Sequence, residues 1–180
     1  MGFTTIVITK PTFFEGEERA IERLLHEGVA DLIHLRKPSS TEAQMEGLLK
    51  ALPADLYGRL VLHDHFPLAQ KYHLYGIHLN GRNPLPPLTW TGSVSRSCHS
   101  LDEVKAWKPQ CQYVSLSPVF DSISKRGYLS AFTLADIAEA RNQGVIDRQV
   151  YALGGVTFSR INEVKAMGFG GALILGDAWK

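Results

Sequence analysis

The sequence predicts an α/β protein of the (β/α)8 TIM-barrel class, and three observations carry that expectation. Short segments rich in β-branched and apolar residues recur along the chain, separated by crossovers of which most have helical periodicity. Parallel strands need such crossovers between them. Eight of these segments can be counted, which is the number that closes this barrel. A glycine pair, Gly154-Gly155, ends the seventh, where barrels of this class hold phosphate.

The elements follow in order. Residues 3–10 form the first expected strand. A helix over 15–28 comes next, with Ile21, Leu24, Leu25 and Val29 at helical spacing and Gly28 as its C-terminal cap. Residues 32–36 are a second strand. Thr41 begins a helix whose Met45, Leu48, Leu49 and Leu52 share a face until Pro53 stops it. Residues 59–63 are a third strand, 67–72 a short helix and 76–79 a fourth strand. The run Asn83-Pro84-Leu85-Pro86-Pro87 cannot make a helix, so the fourth crossover is expected to be irregular. Residues 92–98 are a fifth strand, and Ser100 with Glu103 is expected to form a capping box on a helix over 101–107. A sixth strand over 113–120 leads through a polar loop, 121–130, to a helix over 134–142 capped by Thr133. Residues 149–153 are the seventh strand, Ser159 is expected to cap a helix over 161–167, and 171–175 are the eighth strand.

No linker or composition shift divides the chain, so 1–180 reads as one barrel domain. Its length falls below the roughly 200–250 residues of such barrels. The shortfall is expected after the eighth strand, as a C-terminal helix that is missing or truncated. An uncovered last strand makes a homodimer an expectation. A doubly wound open sheet is the alternative architecture.

Composition narrows the function. With Lys+Arg 19 against Asp+Glu 18, there is no bulk charge to attract nucleic acid or an anionic membrane, so any basic function is local. Cys98 and Cys111 make neither a disulfide framework nor a zinc motif. The N-terminus lacks the pattern of a signal peptide, and no run is long enough to span a bilayer. The expectation is a cytoplasmic protein with small-molecule partners.

In a parallel barrel, ligands bind where strands end. Those positions hold His34 and Arg36; His63, Asp64 and His65; His78, Asn80 and Asn83; Ser97 and His99; Ser117, Ser122, Ser124 and Lys125; and Gly154 and Gly155. Arg36 beside Lys37 is either a solvated pair or an anion contact, and the strand terminus favours the second. Asp64 is equally an N-cap for the next helix and a metal ligand. His63, His65, His78 and His99 offer a transition-metal site, although no ligand spacing on one element requires it. The hydroxyls and ammonium of Ser122, Ser124 and Lys125 suit an anionic leaving group. Gly154-Gly155 lets backbone N–H groups approach a phosphate near a helix start, and Gly176 after the eighth strand would supply the other half of that grip.

These phrases, in register along nearly the whole chain, resemble the thiamin phosphate synthase/TenI family. The family's QLREK is similar to His34-Leu35-Arg36-Lys37-Pro38, and its ND phrase to His63-Asp64. Its DGVHLGQED is similar to the run from Tyr75-Gly76 through His78 to Asn83, and its GxSxHs to Ser95 through Ser100. Its GP…TxTK phrase resembles Ser117-Pro118 with Ser122 to Lys125, and its AIGGI resembles Ala152 to Val156. The resemblance implies coupling of an aminopyrimidine methyl diphosphate to a thiazole phosphate. Diphosphate leaves first, and the thiazole nitrogen captures the pyrimidine methyl cation.

Carried over by position, Arg36 and Lys125 would hold the diphosphate with Ser122 and Ser124. Asp64 and Asn83 would ligate Mg2+, Ser97 would lie near the pyrimidine, and Gly155 and Gly176 would hold the thiazole phosphate. His34, His63, His99 and Ser117 would complete the substrate contacts. The chain departs from the pattern at His34 for glutamine, Pro38 for lysine, His63 for asparagine, Asn83 for aspartate and Ser117 for glycine. A TenI-like thiazole phosphate tautomerase is the alternative activity. Its catalytic histidine would fall at Ser117, with His34 or His99 as possible substitutes. The third alternative is a non-catalytic thiazole or thiamin phosphate binder.

Overall fold

The computed structural model describes residues 2–120 and 131–180. Eight strands follow one another as a closed barrel in chain order: β1 (Thr4–Ile8), β2 (Leu32–Leu35), β3 (Leu60–Leu62), β4 (Gly76–Leu79), β5 (Ser93–Cys98), β6 (Tyr113–Leu116), β7 (Val150–Ala152) and β8 (Gly171–Ile174). The helices are α1 (Glu17–His26), α2 (Glu42–Ala51), α3 (Phe66–Lys71), α4 (Leu101–Trp107), α5 (Leu134–Asn142) and α6 (Ile161–Ala166). β2, β4, β6 and β8 are buried at every residue, as expected of parallel strands covered on both faces. Contacts divide the chain into two compact units, residues 6–94 and residues 1–5 with 95–180.

In the first unit, β2 pairs in parallel with β1 and β3, and β3 with β4. Ile21 and Leu25 of α1 are buried one turn apart, which fits the apolar spacing of that segment. Gly28 follows the helix at φ +68, donating to the Leu25 carbonyl. Thr41 forms a full capping box with Gln44, and Met45, Leu48 and Leu49 of α2 are buried. No helix joins β4 to β5, in keeping with the proline-rich run between them.

Lys37 fits neither a solvated pair with Arg36 nor an anion contact beside it. Alternation sends it to the opposite face from Arg36, and there it is fully buried. Its ammonium donates to the Glu17 carboxylate and, at 2.8 Å in each case, to the carbonyls of Lys10 and Thr12. The Phe13 ring centroid lies 4.8 Å from it. Lys37 therefore anchors the segment that leads into α1. Burial pushes its pKa down and that of Glu17 up, and the bond between them opposes both shifts.

In the second unit, β5, β6, β7 and β8 pair in parallel. Tyr113 and Tyr151 stack with centroids 4.6 Å apart. The Ser100 cap is as expected, but its capping box and the Ser159 cap are corrected. Ser100 does accept from the Glu103 N–H, but the Glu103 carboxylate takes the N–H of His99 at 2.7 Å, one residue upstream of a capping box. Ser159 lies inside a 3-10 turn, Phe158–Arg160, so Arg160 is the residue that precedes α6. Thr133 caps α5 as expected, in a capping box with Asp136. After β8 the chain makes a 3-10 turn, Gly176–Trp179. No helix among the described residues is long and apolar enough to cross a membrane.

Candidate functional site

The ends of β2, β3 and β4 carry a dense polar network in the first unit. Register explains its convergence. His34 pairs with Val61, and His63 lies two residues further along, so both imidazoles leave the same face. Leu62 pairs with Ile77, which sets His63 level with His78. His34 Nδ1 lies 2.9 Å from His63 Nε2. The His63 and His78 rings stack with centroids 4.3 Å apart, and His34 is 5.0 Å from each. All three are buried. Burial pulls the pKa of His34 and of His63 well below the usual histidine value, and the neighbouring His78 adds to both shifts.

Just beyond, Asp64 does not cap α3. The residue preceding that helix is His65, in left-handed conformation at φ 56, without a side-chain cap. Asp64 instead receives a fork from Arg82, Nε to Oδ1 and a terminal guanidinium nitrogen to Oδ2, both at 3.0 Å. The Asn83 amide adds a donor to Oδ1 at 2.9 Å. Asn80 builds the turn that makes this possible. Its side-chain Oδ1 accepts from the backbone N–H groups of Arg82 and Asn83, while its Nδ2 donates to the carbonyls of His63 at 2.8 Å and His78 at 3.1 Å. Arg36 is fixed through its backbone, its N–H donating to Thr9 Oγ1 at 2.9 Å. Burial lowers the Arg36 pKa, proximity to Arg82 lowers it further, and Asp64 opposes.

One residue of the expected metal set, His65, turns away from this network. His65 points to Ser40, with Nε2 2.9 Å from its carbonyl. His99 is placed in the second unit. There, His99 Nδ1 lies 3.2 Å from Ser117 Oγ, and the Ser117 N–H donates to the Cys98 carbonyl. Ser97 is half-buried on β5 beside Ser115 of β6.

Gly154 and Gly155 both take positive φ, +91 and +63. A Cβ on Gly154 would lie 2.7 Å from Pro118 Cα, so the close passage of residues 118–119 itself requires glycine there. The pair is not directly followed by an α-helix: α6 begins at Ile161, after the 3-10 turn Phe158–Arg160. The N–H of Phe158, the first residue of that turn, already has an anionic partner, the Asp177 carboxylate at 3.0 Å. Gly176, next to Asp177, is exposed, and a methyl group placed on it would meet no atom within 4 Å. Ser122, Ser124 and Lys125 lie outside the described residues.

Arg82 and the partnership of His34 with His63 and His78 are what sequence reasoning missed. The signal for Arg82 was its place between two asparagines after β4, where polar turn residues collect. For His34 it was strand alternation combined with register.

Comparison with known proteins agrees with this architecture. Residues 5–176 match a family model described as thiamine monophosphate synthase. A thiamine-phosphate synthase of Shouchella clausii is 30% identical over 173 residues, covering 90% of this chain and 81% of the relative. Among solved structures, a thiamine phosphate pyrophosphorylase from Bacteroides thetaiotaomicron is 43% identical, with TM-score 0.89, covering 98% of this chain and 84% of that one. One from Pyrococcus furiosus is 19% identical with TM-score 0.76, covering 98% and 90%, a likeness of fold.

Proposed function

The chain belongs to the thiamine monophosphate synthase family, and from that premise we propose that it couples an aminopyrimidine methyl diphosphate to a thiazole phosphate. The bond from the methyl carbon to the diphosphate oxygen breaks, and its electron pair leaves with the diphosphate. The thiazole nitrogen lone pair then forms the new C–N bond. The reading suits a cytoplasmic enzyme whose partners are small phosphates.

One observation carries it. The Arg36 guanidinium, after β2, feels Arg82, after β4, as a like charge, and the Asp64 carboxylate that Arg82 grips offsets the two only in part. An excess of positive charge in a half-buried place is stabilised by an anion, and guanidinium matches phosphate oxygens with paired donors. Arg36 would hold the departing diphosphate, with Arg82 beside it and Lys125, Ser122 and Ser124 as further donors. Such charge, fixed before the reaction, lowers the barrier to leaving-group departure. Ser97 would contact the pyrimidine. Backbone N–H groups at Gly155 and Gly176 would hold the thiazole phosphate, with Gly154 shaping the turn.

Magnesium would fall to Asp64 and Asn83. As arranged, these residues do not fit it. Both Asp64 oxygens accept from Arg82, Oδ1 also accepts from Asn83, and Asn83 turns its N–H donors, not its oxygen, to Asp64 and the His63 carbonyl. A Mg2+ ion requires oxygen ligands, so Arg82 would have to release the carboxylate first. The steps above therefore rest on this chain's cations alone.

The test is product formation from the two substrates, with Mg2+ and with chelator, alongside titration with inorganic diphosphate. Arg36→Met is expected to weaken diphosphate binding at least tenfold, about 1.4 kcal/mol or more. Unchanged binding would remove Arg36 from the site. A second reading, aromatisation of a thiazole phosphate tautomer, is favoured by the approach of the His99 imidazole to Ser117. It predicts proton transfer activity that His99→Gln removes while diphosphate binding stays intact.

A further inference from the structure

We propose that His34, His63 and His78 form a three-imidazole site for a divalent first-row transition ion of the zinc class, with a coordination position left open. Each residue offers a ring nitrogen, and the three nitrogens lie within 4.8 Å of one another. A four-coordinate zinc ion with metal–nitrogen bonds near 2.0–2.1 Å places its ligands about 3.3 Å apart. The His34–His63 pair, at 2.9 Å, is already at that scale. The third ring nitrogen lies within 4.8 Å of the other two and would close on the ion from there.

The rings are held for such a role by their backbones. The Thr9 N–H donates to the His34 carbonyl at 3.0 Å. The Asn80 amide ties the His63 and His78 carbonyls together, and Asn83 adds a second donor to His63 at 3.0 Å. These bonds fix the main chain from which the three rings project. Ligand type selects the ion: imidazole suits zinc, cobalt, nickel and copper, whereas magnesium and calcium prefer oxygen. Burial also favours the neutral form of His34 and His63, the state in which imidazole binds metal. Arg36 and Arg82 add positive charge near His63, and Asp64 adds negative charge. An anion in the open position, hydroxide or a phosphate oxygen, offsets the excess.

This site does not depend on the synthase reading, and its test reads metal rather than turnover. Purified full-length protein, free of any histidine tag, is titrated with Co2+. The expected result is the intense visible absorption of four- or five-coordinate cobalt at about one ion per chain, lost on addition of Zn2+. His34→Gln and His78→Gln are each expected to weaken binding at least a hundredfold, while His26→Gln, at an exposed position of α1, leaves it unchanged. A wild-type protein showing only hexa-aquo cobalt would overturn the proposal, as would full binding by either core variant. If those variants fail to fold, imidazole NMR of the wild type decides. Zn2+ should shift the resonances of His34, His63 and His78 among the seven histidines. Shifts confined to the other four would place the metal elsewhere and sink the site.

Discussion

The two compact units satisfy their polar groups differently. At the ends of β2 to β4, side chains do it: imidazole to imidazole, guanidinium to carboxylate, amide to carbonyl. Among the described residues at the ends of β6 and β7, backbone bonds prevail beside the Ser117–His99 contact. Val119 and Phe120 donate to the carbonyls of Leu153 and Gly154, and the glycine pair is defined by its φ angles and by the closeness of Pro118. The first region is therefore sensitive to which functional group stands at a position, and the second to whether a Cβ stands there at all.

The largest expected effect tests the side-chain region at its most buried point. Lys37→Met leaves the Glu17 carboxylate buried without its cation and should cost about 3–5 kcal/mol in urea unfolding. Pairing it with Glu17→Gln should recover most of that loss. A single variant that costs nothing would show that the ion pair does not organise the segment before α1.

In the backbone region, Gly154→Ala introduces a methyl at positive φ and 2.7 Å from Pro118 Cα. The expected cost is about 3 kcal/mol, from strain plus overlap. Ser117→Ala, which changes a functional group there, should cost well under half as much. Equal costs would erase the distinction between the regions.

The smallest effect concerns protons. His34 and His63 stay neutral in the fold but charge in the unfolded chain near pH 6.5. The unfolded state then binds more protons, so stability is full above that pH and falls as pH drops below it. From pH 6.5 to 5.5 the two together should remove about 2 kcal/mol. The signature is the difference in slope between wild type and a His34→Gln/His63→Asn double variant, because Glu17 titrates with the opposite sign at lower pH. Parallel slopes would mean that these imidazoles take up protons in the fold just as they do in the unfolded chain.

Much of this architecture was legible in the sequence because it follows from local rules. Periodicity located the eight strands, threonine caps fixed the starts of α2 and α5, and the prolines of residues 84–87 removed a helix from the fourth crossover. What was illegible depends on tertiary approach. Alternation separates Lys37 from Arg36, but only the fold brings Glu17 and Phe13 around it. The chain presents Asp64 as a cap or a metal ligand, and Arg82, eighteen residues on, makes it neither in this arrangement. The reach of the Glu103 carboxylate past Ser100 to His99 likewise depends on side-chain conformation, not on spacing.

Asp177 gives the glycine turn one more property. Its carboxylate rests on the Phe158 N–H and is held below the usual carboxylate range, first by Lys180 and then by that N–H. A phosphate seeking the same donor would enter by exchange, displacing a resident anion rather than filling a gap. Its affinity would then be a difference between two anions' energies, and the displaced carboxylate, tethered nearby, would always be on hand to reclaim the donor and speed release.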